Sequence, residues 1–300
     1  MSFSADVKNE ILSVEIENDC CKHAFAYGMM LFSRAFSYYD MSILTEHSGI
    51  AQTYFELMKS VCGVTAKLIK SKSGKIKVEI TKESERIKVL ETFGYSKKNG
   101  AVRLNWANFS DECCKNAFLK GVFLACGTVN DPNKRYHLEF VVPYLNLSRD
   151  LKVFINDFEQ LSVEPKSITR NSNYVIYFKD SESIEDILAT MGASNSALEV
   201  MGVKMYKDMR NNVNRKLNFE SANLDKTIDA ASKHVEAIIH IKNTVGLSYL
   251  SDDLREVAEL RYENPDISLR ELGEMLSTPI SRSGVSHRLT KISNIAKQIK

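Results

Sequence analysis

Apolar positions along the chain follow two rhythms. The runs CCKHAFAYGMMLFSRAF at 20–36 and CCKNAFLKGVFLACGTV at 113–129 are nearly continuous in apolar residues and long enough for buried helices. An amphipathic helix pattern follows each, TYFELMKSVCG at 53–63 and LKVFINDFEQLS at 151–162. A strand hairpin comes next, turning at Ser73-Gly74 or at Asn171-Ser172-Asn173. The alternating strands KIKVEI and NYVIYF then lead through a polar turn into short helices that close at Gly94 and Gly192.

The two stretches are copies of each other. Cys20, Cys21, Lys22, Ala24, Phe25, Gly28 and Leu31 recur at a constant offset as Cys113, Cys114, Lys115, Ala117, Phe118, Gly121 and Leu124. A glycine inside a helix costs about 1 kcal/mol relative to alanine. A repeat that keeps one in each leading helix therefore points to close backbone approach, the two helices meeting along a seam. The expected fold class is α+β, a pseudo-two-fold domain over 1–205 built from two αββα-type repeats, 1–105 and 106–200. An all-α domain follows it.

That second domain, expected at 224–300 after a linker at 206–223, has sharper punctuation. Ser221, Asn223 and Asp225 are cap candidates for an amphipathic helix ending near Asn243-Thr244. Ser251 with Asp252 and Asp253 starts another, carried by Leu254, Val257, Ala258, Leu260 and Arg261 and stopped at Asn264-Pro265. Ser268 and Glu271 form a capping box ahead of Leu269, Leu272 and Leu276, with Gly273 small enough for close packing. Thr278-Pro279 turns the chain, and Ser281 caps a helix with Val285, Leu289, Ile292 and Ile295 at helical spacing. Short helix, tight turn and longer helix make a helix-turn-helix pattern, similar to the promoter-reading end of sigma factors.

Charge changes this picture more than composition does. The chain has 300 residues, 44% hydrophobic and 26% charged, with a formal net charge of +2, which excludes disordered and low-complexity classes. No apolar run reaches the roughly 18 residues of a membrane span, and the polar start MSFSADVKNEIL is not that of a signal peptide. A cytoplasmic, nucleoid-associated protein with reduced cysteines is expected. Residues 250–276 carry Asp252, Asp253, Glu256, Glu259, Glu263, Asp266, Glu271 and Glu274, whereas 277–300 carry Arg282, Arg288, Lys291, Lys297 and Lys300 with no acid. A cationic third helix is what a polyanion would select. Its expected DNA-contacting residues are Ser281, Arg282, Ser283, Ser286, His287, Arg288 and Lys291, joined by Arg270. Gly284 is expected to leave room for the sugar-phosphate chain.

FLKGVFLACGTVND resembles a degenerate form of the helix that defines LAGLIDADG homing endonucleases, with Leu119 to Gly127 aligned to the nine motif letters and Ala26 to Arg34 as the first copy. In that family the last acid of each motif binds a divalent metal. Here those positions are Ser33 and Cys126, and the earlier acids fall on Leu31 and Leu124. A two-metal cleavage site needs hard oxygen ligands, so the resemblance implies the scaffold without its catalysis. The saddle of strands that sits on duplex DNA in the nucleases directs attention to Lys67, Lys70, Lys72, Lys75 and Lys77 as phosphate contacts, with Lys166, Arg170 and Lys179 as the poorer counterpart in copy two. Arg210, Arg215 and Lys216 are further candidates. Equally, such lysines keep a strand edge soluble.

RNNVNRKLNFESANLDKTIDAA, NDPNKRYHLEF, PISRSGVSHRL and the two CCK helices together make the whole chain resemble the WhiA family, sporulation and cell-division regulators of Gram-positive bacteria. The resemblance implies a non-catalytic LAGLIDADG-like domain linked to a helix-turn-helix domain, binding to double-stranded DNA, and a role in division, chromosome segregation or sporulation gene control. Transcription or division proteins are the other partners it implies.

Two rivals remain at this level: an adaptor that binds polymerase or division proteins, and a metal-dependent endonuclease with a rearranged site at Asp131 and Glu139. No cofactor is expected, since glycine-rich phosphate loops and nucleophile motifs are missing. No metal is expected either. Cys20-Cys21 and Cys113-Cys114 would offer four thiolates to a zinc ion once the repeats fold together, but each pair lacks the two-residue gap that lets both thiolates reach one ion, and they read instead as small buried residues at helix starts.

Overall fold

The computed structural model describes residues 2–96, 102–158, 161 and 163–299. It divides into two units, Met1–Lys207 and Asp208–Lys300.

The first unit opens with α1 (Phe3–Ser13), capped by the Ser2 hydroxyl, which accepts from the Ala5 N–H. One repeat then runs α2 (Asp19–Leu31), β1 (Ala35–Phe36), β2 (Met41–Thr45), α3 (Ser48–Cys62), β3 (Lys67–Lys70), β4 (Ile76–Glu79) and α4 (Glu83–Thr92). The other runs α5 (Glu112–Cys126), β5 (Gly127–Val129), β6 (Leu138–Val142), α6 (Leu145–Asn156), β7 (Lys166–Arg170), β8 (Asn173–Phe178) and α7 (Ser181–Thr190). Each therefore carries two hairpins, αββαββα, where the sequence pattern showed one. Strands as short as Ala35–Phe36 leave no room for alternation to show.

The two antiparallel sheets have the same order, β1-β2-β4-β3 and β5-β6-β8-β7. Registers correspond as well: β2 meets β4 from Ser42↔Glu79 to Thr45↔Ile76, and β6 meets β8 from Leu138↔Phe178 to Val142↔Tyr174. Period-two alternation sends Leu138, Phe140 and Val142 inward, with Ile76 and Val78 doing the same in β4. The turn between β7 and β8 is a two-residue one, with Asn171 at φ 47° and Ser172 at φ 64°, the left-handed pair that matches strand twist in tight hairpins.

The leading helices α2 and α5 meet as the repeated glycine indicated. A Cβ added to Gly28 would lie 2.3 Å from the Phe118 carbonyl oxygen, and one on Gly121 would lie 2.3 Å from the Phe25 carbonyl oxygen. Phe25 and Phe118 are repeat mates, so the close approach is reciprocal and marks the pseudo-two-fold axis. Around it Tyr27, Phe32, Phe118, Phe123 and Phe154 are fully buried. The connection between the repeats is pinned by buried Asp150, which accepts from the Arg103 guanidinium at 2.6 and 2.7 Å and from the Leu104 N–H at 2.9 Å.

One helix, α8 (Ser194–Thr244), crosses from the first unit into the second. Its start is closed by Glu10 of α1, whose carboxylate accepts from the Asn195 and Ser196 N–H groups at 2.6 and 3.0 Å. The stretch 206–223, expected as a linker, is helical throughout, and Ser221, Asn223 and Asp225 lie inside the helix instead of capping a new one. Every residue from Asp208 to Ala230 is exposed. Local polar residues there resemble a cap in sequence because nothing buried marks the helix they belong to.

The second unit continues with α9 (Asp252–Glu263), α10 (Leu269–Glu274) and α11 (Arg282–Gln298). Ile238 and Ile241 of α8 join Val257, Ala258, Leu272, Val285, Leu289 and Ile292 in a core separate from that of the first unit. Both sides of the capping box at Ser268 and Glu271 are made. Gly273 is required by packing, since a Cβ there would lie 2.4 Å from the Ile280 carbonyl oxygen. Arg261, read as one more position on the apolar face of α9, is buried for another reason: its guanidinium donates to the carbonyls of Asn264, Pro265 and Ile267 and holds the turn into α10.

Candidate nucleic-acid interface

The start of α11 is built by its cap. The Ser281 hydroxyl accepts from the Gly284 N–H at 3.3 Å and pairs with the Ser283 hydroxyl at 2.8 Å. This fixes the first turn with Ser281, Arg282 and Ser283 exposed, and Ser286, His287 and Lys291 exposed further along. Backbone N–H groups of such a turn and a positive helix end favour an anion. The turn before it is held by Glu256 of α9, which accepts from the Ser277 N–H and hydroxyl at 2.5 and 3.1 Å.

The expected contact residues are not equivalent. Arg282 forms no ion pair among the described residues and lines an open cleft of about 670 Å³ together with Arg270, Ser268 and Lys226. Lys226 was not singled out in the sequence, because a lone lysine on a polar helix carries no pattern. Arg270 is 82% exposed in its side chain and pairs with Glu274 at 3.0 Å. Arg288 is turned inward: its guanidinium donates to the Asp253 carbonyl at 3.3 Å and lies 3.8 Å from the Asp253 carboxylate. The Ser251 hydroxyl and the Arg288 charge hold the Asp253 carboxyl below its usual range. Gly284 sits close to the turn before α11. A Cβ added there would lie 3.3–3.5 Å from the Ile280 side chain.

The first unit pairs part of its charge internally. On the β3–β4 hairpin, Lys77 pairs with Glu79, and Lys75 lies 3.8 Å from Glu46. Lys67 and Lys70 lie on the fully exposed edge strand β3, with Lys72 exposed in the turn. In the second copy Arg170 donates to Glu139 at 2.7 Å, and His137 sits 3.0 Å from the same carboxylate. Arg210, Arg215 and Lys216 are exposed on α8.

The positions of the nuclease acids have become interior structure. The Ser33 hydroxyl is buried and donates to the Met30 and Ala35 carbonyls at 2.6 and 3.2 Å. Burial pushes the Cys126 thiol up to about 12, against the pull of the nearby Lys8 ammonium. Lys8, whose own pKa burial lowers, lies 5.9 Å from the centre of the Phe123 ring. A hydroxyl and a protonated thiol beside an ammonium are a poor set for a hard dication. Asp131 and Glu139 do not replace them. Asp131 is engaged by the Asn133 N–H and side chain, and Glu139 by Arg170 and His137.

One grouping that spacing alone argued against is brought together by the fold: the sulfurs of Cys20, Cys21, Cys113 and Cys114 all lie within 4.8 Å of one another.

Two αββαββα repeats joined at glycine-bearing helices, followed by a helix-turn-helix unit, define a degenerate LAGLIDADG-like domain fused to a helix-turn-helix. The WhiA LAGLIDADG-like domain matches residues 24–97 and 115–210, and the WhiA C-terminal HTH domain matches 213–296. The chain is 37% identical over 312 residues to a protein of Alkaliphilus metalliredigens named probable cell division protein WhiA, covering 99% of this chain and 98% of that one. A protein of the same name from Thermoanaerobacter pseudethanolicus is 39% identical over 318 residues, with 100% and 98% covered. The crystal structure of full-length WhiA from Thermatoga maritima shares the fold, with a TM-score of 0.60 at 23% identity, covering 100% of this chain and 99% of that one. The chain belongs to the WhiA family. No described helix is long and apolar enough to cross a membrane.

Proposed function

We propose that this chain is a non-catalytic regulator that binds duplex DNA through the start of α11 and acts in cell division, chromosome segregation or sporulation gene control. The observation that carries the reading is the exposed turn Ser281-Arg282-Ser283 at a positive helix end, with Arg282, Arg270 and Lys226 around one cleft and no acid on α11. Arg282 supplies base or bidentate phosphate contacts, and the serines with the helix N–H groups hold the backbone. Arg288 acts differently, orienting α11 through Asp253 of α9. The chemistry at Ser33, Cys126 and Lys8 supports a scaffold that binds without cutting. The curated relatives' name, probable cell division protein, supports the cellular setting.

The test uses fluorescence anisotropy at fixed salt on a duplex selected from genomic DNA. Arg282→Ala should weaken specific binding by about 1–3 kcal/mol. Arg288→Ala should cost less affinity, because its guanidinium is already engaged within the protein. Unchanged affinity for Arg282→Ala, or a larger loss for Arg288→Ala, would refute the assignment. Reproducible nicking of the duplex in magnesium or manganese would refute the non-catalytic reading.

A further inference from the structure

We propose that Cys20, Cys21, Cys113 and Cys114 form a four-thiolate site for one zinc ion, tying the two repeats together at the N-terminal ends of their leading helices. A tetrahedral zinc site with Zn–S bonds of about 2.3 Å has sulfur–sulfur edges of about 3.8 Å. The four sulfurs here lie within 4.8 Å of one another, and the Cys21 and Cys113 sulfurs are 3.2 Å apart. Small side-chain rotations bring such a cluster to the required shape.

The absence of a two-residue gap does not count against this arrangement. A gap is needed when one loop must wrap an ion, whereas here two rigid helix starts approach from opposite sides of the seam. The offset that relates Gly28 to Gly121 also relates Cys20 to Cys113 and Cys21 to Cys114, so the pairs face each other across the pseudo-two-fold. The cysteines occupy the first turns of α2 and α5, where unsatisfied N–H groups favour thiolates. Soft sulfur donors select zinc over magnesium or calcium.

On zinc binding each thiol releases its proton to solvent, no electron is transferred, and the dication offsets part of the thiolate charge. Two helix ends, each worth about half a positive charge, and the half-buried Lys120 near Cys21 offset more.

The experiment uses the full chain, reduced with a phosphine and stripped of metal. Titration with cobalt(II) should produce the charge-transfer and ligand-field bands of a tetrahedral thiolate site, saturating at one equivalent and bleached by zinc. Zinc should also raise the melting temperature of the first unit. Cys20→Ser/Cys113→Ser should lose affinity by at least ~100-fold and lose the zinc-dependent shift. Because Cys113 is exposed and Cys20 half-buried, that variant removes ligands with little loss of core. Circular dichroism checks that it folds, and Cys113→Ser alone serves if it does not. Cys62→Ser, a buried thiol elsewhere, should bind cobalt as the parent does. The proposal is overturned if the bands are absent, if they persist unchanged without Cys20 and Cys113, or if the reduced chain takes up no metal and instead closes a disulfide among these four residues on air exposure.

Discussion

The two units put similar residues to opposite uses. In the repeat-built unit, groups that would have handled a polyanion or a metal are answered internally: Lys77 by Glu79, Lys75 by Glu46, Arg170 by Glu139, and the motif position at Ser33 by main-chain carbonyls. In the helix-turn-helix unit the acids are held on α9 and α10, where Glu256 and Glu271 close turns, and the start of α11 is left cationic. A shared charge count thus says little about binding. What separates one cation from another is whether a carboxylate lies within reach: Lys77 and Arg288 have one, whereas Lys67 and Arg282 form no ion pair among the described residues.

The largest effect should come from the separate cores. Leu289 is fully buried in the second unit alone. Leu289→Ala should destabilise that unit by about 2–5 kcal/mol and abolish specific DNA binding while the first unit's thermal transition stays in place. Calorimetry of the full chain reads both transitions, and a common shift of the two would remove the basis for treating them separately.

Next in size is the seam of the first unit. Gly121→Ala forces a Cβ to 2.3 Å from the Phe25 carbonyl oxygen and 2.7 Å from the Met29 nitrogen, so it should cost about 1–3 kcal/mol through overpacking. Gly202→Ala, in α8 with nothing within 4 Å, should instead stabilise by up to about 1 kcal/mol. Opposite signs for the same chemical change, read from urea midpoints, would tie the repeated glycine to helix contact. Equal signs would detach it.

The hairpin offers a smaller contrast. Lys67, Lys70 and Lys72 form no ion pair among the described residues, whereas Lys75 and Lys77 do. If the first unit also touches phosphate, replacing the unpaired three with Gln should reduce the salt slope of DNA binding, by about 0.9 for each phosphate no longer neutralised. Replacing Lys75 and Lys77 should change it less. A slope unaltered by the unpaired three would leave strand-edge protection as their role.

How much of this was legible in the residues depends on range. The repeat, its seam glycines, the Asn171-Ser172 turn, the capping box at Ser268 and the Ser281 cap rest on short-range rules, and the sequence carries them openly. Arg288 could not be separated from Arg282 in that way, because its partner Asp253 lies on another helix and only folding brings the two together. The same holds for Lys75 with Glu46. The gathering of the four cysteines is not legible from spacing, because spacing rules describe one loop, while this cluster is assembled by symmetry between copies. The continuity of α8 was hidden for the converse reason: its stretch from Asp208 to Ala230 is exposed throughout and has no buried face to set its period.

The smallest effect distinguishes the units by pH. Burial, aided by the Arg261 guanidinium, lowers the pKa of His234 in the second unit from 6.5, and its Nδ1 is buried without a hydrogen-bond partner among the described residues. A depressed histidine pKa means that the folded unit binds its proton less readily than the unfolded chain. Its contribution to stability is therefore complete above pH 6.5 and is lost as pH falls through the lower folded value. In the first unit, burial works to raise Glu139, but Arg170 and His137 outweigh it and hold the carboxyl down, so its contribution is complete above 4.5 and is lost only in more acidic solution. Between about pH 7.5 and about pH 5.5, the span in which an unperturbed imidazole titrates, the transition assigned to the second unit should fall in wild type and flatten in His234→Leu, with Glu139→Gln leaving that slope unchanged. A slope indifferent to His234→Leu would place the proton uptake elsewhere and remove the buried imidazole beside Arg261 from the account of this unit's stability.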